Sequence, residues 1–98
     1  MATFEEINEA RGLLGLGEAA TLKEIKRAYR RIAFRYHPDR HGNDPECKEK
    51  MKRLNQAYKL LTDYCARYKY TFREEDVARA YPEEEYLRKY AYGWFDGP

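Results

Sequence analysis

The chain has 98 residues, the length of one small domain, with 37% charged and 15% aromatic residues and a mean hydropathy of −1.00. So many rings exclude a disordered chain, and a domain of this size buries a thin core beneath a solvated exterior. The net charge of +2 is unevenly spread, with seven cations against two anions in Thr21–Arg40 and four cations against seven anions in Thr71–Pro98, so an acidic partner is expected to meet the earlier segment.

The first predicted helix covers about 3–13. Phe4, Ile7, Ala10 or Arg11, and Leu14 recur at helical spacing, and Glu5 and Glu6 stand in the first turn, where the helix dipole favours anions. Leu13-Leu14-Gly15-Leu16-Gly17 then reads as an apolar turn, because it lacks the β-branched residues and alternation of a strand. The second helix, about 21–36, opens on a Thr21/Glu24 capping box, in which hydroxyl and carboxylate each take a free backbone N–H. Leu22, Ile25, Tyr29, Ile32 and Tyr36 form its apolar stripe, with Ala28 and Ala33 beside it, and Lys26, Arg27, Arg30, Arg31 and Arg35 fall on the solvent side. Pro38 ends it, since proline disfavours the α region at His37.

A polar loop, Asp39-Arg40-His41-Gly42-Asn43, is expected next. Asp44-Pro45 then supplies an N-cap with proline at the first helical position, which starts a third helix over about 45–68. Met51, Leu54, Tyr58, Leu61 and Cys65 carry its stripe, and Ala57 offers a flat place for a neighbour. Residues 1–70 are thus expected to form one all-α domain, in which the second and third helices make an antiparallel hairpin with the short first helix packed across it. Residues 71–98 form an acidic, aromatic extension. Within it Pro82-Glu83-Glu84-Glu85 opens a predicted helix over about 82–92, with Tyr86, Leu87, Tyr90 and Trp94 at helical spacing. These rings and Phe95 are expected to pack back on the domain, by docking on the first or third helix.

No uncharged stretch approaches the roughly 20 residues of a membrane span, and Met1–Glu6 lacks the basic start of an export signal. The expected location is the cytoplasm, where Cys47 and Cys65 are reduced thiols. His37, His41, Cys47 and Cys65 contain no CxxC pair and do not match zinc-site spacing, so no metal or other cofactor is expected. Cys47 lies near a helix start, where thiol pKa values fall, but no partnered base accompanies it and no enzyme is expected.

The run Ile25-Lys26-Arg27-Ala28-Tyr29-Arg30-Arg31-Ile32-Ala33-Phe34-Arg35-Tyr36-His37-Pro38-Asp39-Arg40 closely resembles the second helix and His-Pro-Asp loop of J-domain proteins, the Hsp40 or DnaJ family. Leu13-Leu14-Gly15-Leu16 is similar to the family's turn after helix I, Asn43-Asp44-Pro45 to its loop, and Met51–Leu61 to its helix III. The resemblance spans about Phe4 to Asp63. It implies an Hsp70 partner, with His37, Pro38 and Asp39 coupling docking to ATP hydrolysis, and Tyr29, Lys26, Arg30, Arg31, Arg35 and Arg40 as the contact surface. A client protein is the second partner class it allows. The chain departs from the family after Thr62-Asp63, where Tyr64–Tyr70 replaces the basic Gln-Lys-Arg pattern of a short helix IV. With no Gly/Phe-rich linker, zinc repeat or β-rich client-binding region, it resembles the J-domain-only, type III proteins, and a monomer is expected.

A rival reading makes helix II the recognition helix of a small nucleic-acid-binding module. A chain of net charge +2 with an acidic tail is a poor polyanion binder, which places that reading second. An iron–sulfur assembly role with a dedicated Hsp70 would share the His-Pro-Asp chemistry but lacks the expected helical client domain.

Overall fold

Capping residues set the helix starts. In α1 (Phe4–Leu13) the Thr3 hydroxyl accepts from the Glu6 N–H at 3.2 Å, and the Glu6 carboxylate accepts from the Thr3 N–H at 3.1 Å. The same reciprocal box opens α2 (Leu22–Arg35), with distances of 3.1 and 2.8 Å between Thr21 and Glu24. The α2 box is the one read from the sequence; the α1 box is additional. Both carboxyls are held below the ordinary glutamate range, first by the backbone N–H of their threonine and then by its hydroxyl. The computed structural model describes residues 1–82, and at Pro38 and His41 the backbone alone.

The turn after α1 is a Schellman motif. Leu16 N–H donates to the Arg11 carbonyl at 2.9 Å and Gly15 N–H to the Gly12 carbonyl at 3.0 Å, around Gly15 at φ +69°. The left-handed angle is costly for any residue with a Cβ, so this position calls for glycine. Arg11 adds a side-chain bond to the Leu16 carbonyl at 3.1 Å. The motif sets Leu14, which is 0% exposed, into the core.

A single helical turn, α3 (Pro38–His41), follows α2, and α4 (Pro45–Arg67) begins beyond it. Asp44 caps α4 by accepting from the Glu46 N–H at 2.9 Å, with Pro45 in the first turn. Tyr36, at the end of α2, meets Lys50 early in α4, whereas Tyr29, further back in α2, meets Asn55 and Tyr58 further along α4. That order of contacts makes α2 and α4 antiparallel, and α1 packs on α4. The core is Ala10 and Leu14, Ile25 and Ala28, and Leu54, Ala57 and Leu61, with Ile7, Leu16, Tyr29, Ile32 and Met51 packed around it. Ala28 and Ala57 let the backbones approach, and each buried leucine contributes about 1.5–3 kcal/mol of apolar transfer. The all-α fold with its helical hairpin is as expected.

Two stripe residues are exposed to solvent. Phe4 and Leu22 are 80% and 40% exposed, because each opens its helix and overhangs the packed region. Periodicity assigns a face, but it does not say how far the neighbouring helix extends.

The chain divides into two compact units, Met1–Tyr68 and Lys69–Pro98. In the second, α5 (Glu74–Ala80) is a helix that the sequence reading missed. Glu74, Glu75 and Asp76 occupy its first turn and Arg79 its last, the arrangement the helix dipole favours. Asp76 accepts from Thr71 and, at 2.9 Å, from Arg73, which together hold its carboxyl below the ordinary aspartate range. The helix expected over 82–92, and the packing of Tyr86, Leu87, Tyr90, Trp94 and Phe95, lie outside the described residues apart from Pro82. No helix among the described residues is long and apolar enough to cross a membrane.

Candidate functional site

In place of the loop expected over Asp39–Asn43, the α3 turn takes up most of the segment. Pro38 opens the turn, where its fixed φ suits a helix and its missing N–H costs nothing. His37 caps it twice: its carbonyl accepts from the Arg40 N–H at 2.9 Å, and its imidazole Nδ1 accepts from the Asp39 N–H at 3.1 Å. The Asp39 carboxylate stands 3.5 Å from the same Nδ1, so its charge adjoins the imidazole. Gly42, at φ +62°, then releases the chain toward α4.

This corner faces water. The His37 side chain is 53% exposed and that of Asp39 91%. Behind it, Lys26, Arg27, Arg30, Arg31 and Arg35 are all exposed along α2, and Arg40 is exposed on α3. Lys26, Arg27, Arg30 and Arg31 lie away from Ile25 and Ala28, whose burial fixes the rotation of α2 about its axis, and Arg35 is exposed at the end of the helix. A rigid helix therefore carries a row of positive charge that ends at an ordered His37–Asp39 turn.

Tyr29 takes a different place. Its ring is half-buried and stacks on Tyr58, with centroids 4.2 Å apart and planes at 22°, while its hydroxyl donates to Asn55 Oδ1 at 2.7 Å. It joins α2 to α4 as well as bordering the cationic face. A stacked pair of this kind contributes about 0.5–1.5 kcal/mol beyond its area.

Two cation–π contacts brace the corner that sequence patterns did not reveal. The Arg40 guanidinium lies 4.7 Å from the Phe34 ring centroid, and the Lys50 ammonium lies 5.0 Å from that of Tyr36. Neither pair sits at one helical spacing within one element, so periodicity carried no signal for them. Cys47 is buried, and its thiol is pushed up, first by loss of solvent and then by Asp44, which accepts from it at 3.7 Å. That direction opposes the lowering expected at a helix start and makes the thiol a poor nucleophile. Cys65 is also a free thiol.

The DnaJ domain family model matches residues 11–71, a span that contains the whole corner and its cationic ridge. The chain belongs to the DnaJ-domain family. This J-domain is 49% identical over 51 residues to the chaperone protein DnaJ of Clostridium kluyveri, covering 52% of the present chain and 14% of that protein. It is 44% identical over 70 residues to DnaJ of Halothermothrix orenii, covering 71% and 18% respectively, and 50% identical over 58 residues to DnaJ of Caldicellulosiruptor saccharolyticus, covering 59% and 15%. The chain therefore spans less than a fifth of the length of each of these relatives. Its homology to DnaJ chaperones, shared through the J-domain, supports a co-chaperone role in general.

Proposed function

We propose that this J-domain docks on the ATPase of an Hsp70 through α2 and the His37–Asp39 turn and accelerates ATP hydrolysis there. The observation that carries the reading is the exposed, doubly capped His37 corner at the end of a cationic helical face. Lys26, Arg30, Arg31, Arg35 and Arg40 attract an acidic surface and set its register, because a helix presents them at fixed spacing. Tyr29 presents its outer edge to the partner while its inner edge holds α4.

The J-domain supplies no reacting group in this scheme. It acts by binding one conformation of the ATPase more tightly than the other, and a tenfold shift of that equilibrium requires about 1.4 kcal/mol of differential binding. A corner already ordered before docking loses little freedom on binding, so more of its interaction is available for that difference.

Single-turnover ATP hydrolysis by an Hsp70, with and without the chain, tests the proposal. The unaltered J-domain is expected to accelerate hydrolysis, and His37→Gln to remove the acceleration while leaving the helical circular dichroism unchanged. Equal acceleration by the two proteins would overturn the assignment of His37.

A further inference from the structure

Phe34 presents a ring that is 67% exposed on the last turn of α2, outside the core cluster. The helix does not continue from it to Arg40. It ends at Arg35, Tyr36 leaves the helical region at φ −107° and ψ 14°, and α3 begins at Pro38. The contact at 4.7 Å between the Phe34 ring and the Arg40 guanidinium is therefore made across the corner. Arg40 is tied to the same corner at its backbone, through the 2.9 Å bond from its N–H to the His37 carbonyl.

We propose that Phe34 is a positioning residue, whose ring face holds the Arg40 guanidinium in place on the His37–Asp39 turn so that the cation meets an acidic partner already oriented. The inference rests on the co-chaperone reading for its consequence, but not for its geometry. An arginine side chain otherwise samples many rotamers, and fixing one in advance removes part of the ordering cost of binding. An exposed cation–π pair is strong enough to change affinity by about two- to fivefold. The alternative is that Phe34 touches the partner directly as an apolar side chain. The two differ in what they require of residue 34: positioning needs a ring, whereas direct apolar contact does not.

Two substitutions separate them, Phe34→Leu, which keeps an apolar side chain without a π face, and Phe34→Tyr, which keeps the ring. In the chain alone, the Arg40 side-chain proton resonances are expected upfield in the unaltered protein and in Phe34→Tyr, and at ordinary positions in Phe34→Leu. In Hsp70 ATPase titrations, Phe34→Leu is expected to raise the half-saturating J-domain concentration by about two- to fivefold with maximal stimulation retained. Phe34→Tyr restores the original value, and Phe34→Leu adds nothing when Arg40 is already alanine.

Arg40 resonances that do not respond to Phe34→Leu would overturn the inference. So would Phe34→Leu and Arg40→Ala effects that multiply independently, which is the signature of direct contact. An unaltered chain that fails to stimulate any Hsp70 defeats the co-chaperone reading, while the Arg40 resonances still decide whether Phe34 holds the guanidinium.

Discussion

The helical core and the His37 corner belong to one hairpin but are held by different forces. Leu14, Ile25, Ala28, Leu54, Ala57 and Leu61 are excluded from water and depend on close packing, where the loss of a few methylenes leaves a void. The corner depends on two hydrogen bonds to His37 and on rings that shelve Arg40 and Lys50, with its polar side chains in solvent. A domain built this way can vary its exposed corner at little cost to its fold, because exposed polar groups that lose a partner regain water. Fold stability and the chemistry of the corner are then separable by mutation.

The largest effect is expected at the packed end. Leu14→Ala removes a fully buried side chain and should lower unfolding free energy by about 2–5 kcal/mol in urea titration. Such a loss threatens the whole domain, since small domains have only about 5–15 kcal/mol in total. A change near zero would mean that α1 does not contribute to the core as the contacts indicate.

The capping box lies between the two extremes. Thr21→Ala should cost about 1 kcal/mol by the same measurement. The Glu24 carboxyl also makes the fold sensitive to acid. Its folded pKa lies below the ordinary glutamate value it regains on unfolding, so its contribution is fully present above the ordinary range and is lost as pH falls through the folded value. In Glu24→Gln this part of the acid dependence should vanish, so the stability gap between variant and parent narrows as the pH is lowered. A gap that widens in acid would reverse the assigned sign.

Tyr29 connects the core to the cationic face of α2. Tyr29→Phe keeps the stack on Tyr58 and loses the bond to Asn55, and about 0.5–1 kcal/mol of stability should go with it. Denaturation midpoints identical to within error would place that hydroxyl with solvent. The smallest effect on stability is expected for His37→Gln, within about 0.5 kcal/mol, as for other exposed sites. A large loss there would erase the distinction between corner and core.

Much of this was legible in the residues. The Thr21/Glu24 box, the Asp44-Pro45 start, Ile25 on the stripe of the second helix and Leu54 and Leu61 on that of the third each follow from chemistry within one or two helical turns, and each stands where it was expected. The rest escaped for identifiable reasons. Residues Asp39–His41 read as loop because a single helical turn shows no periodicity, although Pro38 following a residue able to cap was a usable signal. Helix α5 was missed because Val77, Ala78 and Ala80 make too short an apolar pattern, despite three anions in its first turn.

By itself, the order of residues determined the three main helices, the faces they bury and the presence of a His-Pro-Asp tripeptide after a run of cations, because helical spacing and capping act over three or four residues. Only the tertiary structure decided that Tyr29 bonds to Asn55, that Arg40 rests on Phe34, that Lys50 rests on Tyr36, and that burial beside Asp44 pushes the Cys47 thiol up. Those outcomes depend on how separate elements meet in space, and local sequence spacing carries no measure of that distance.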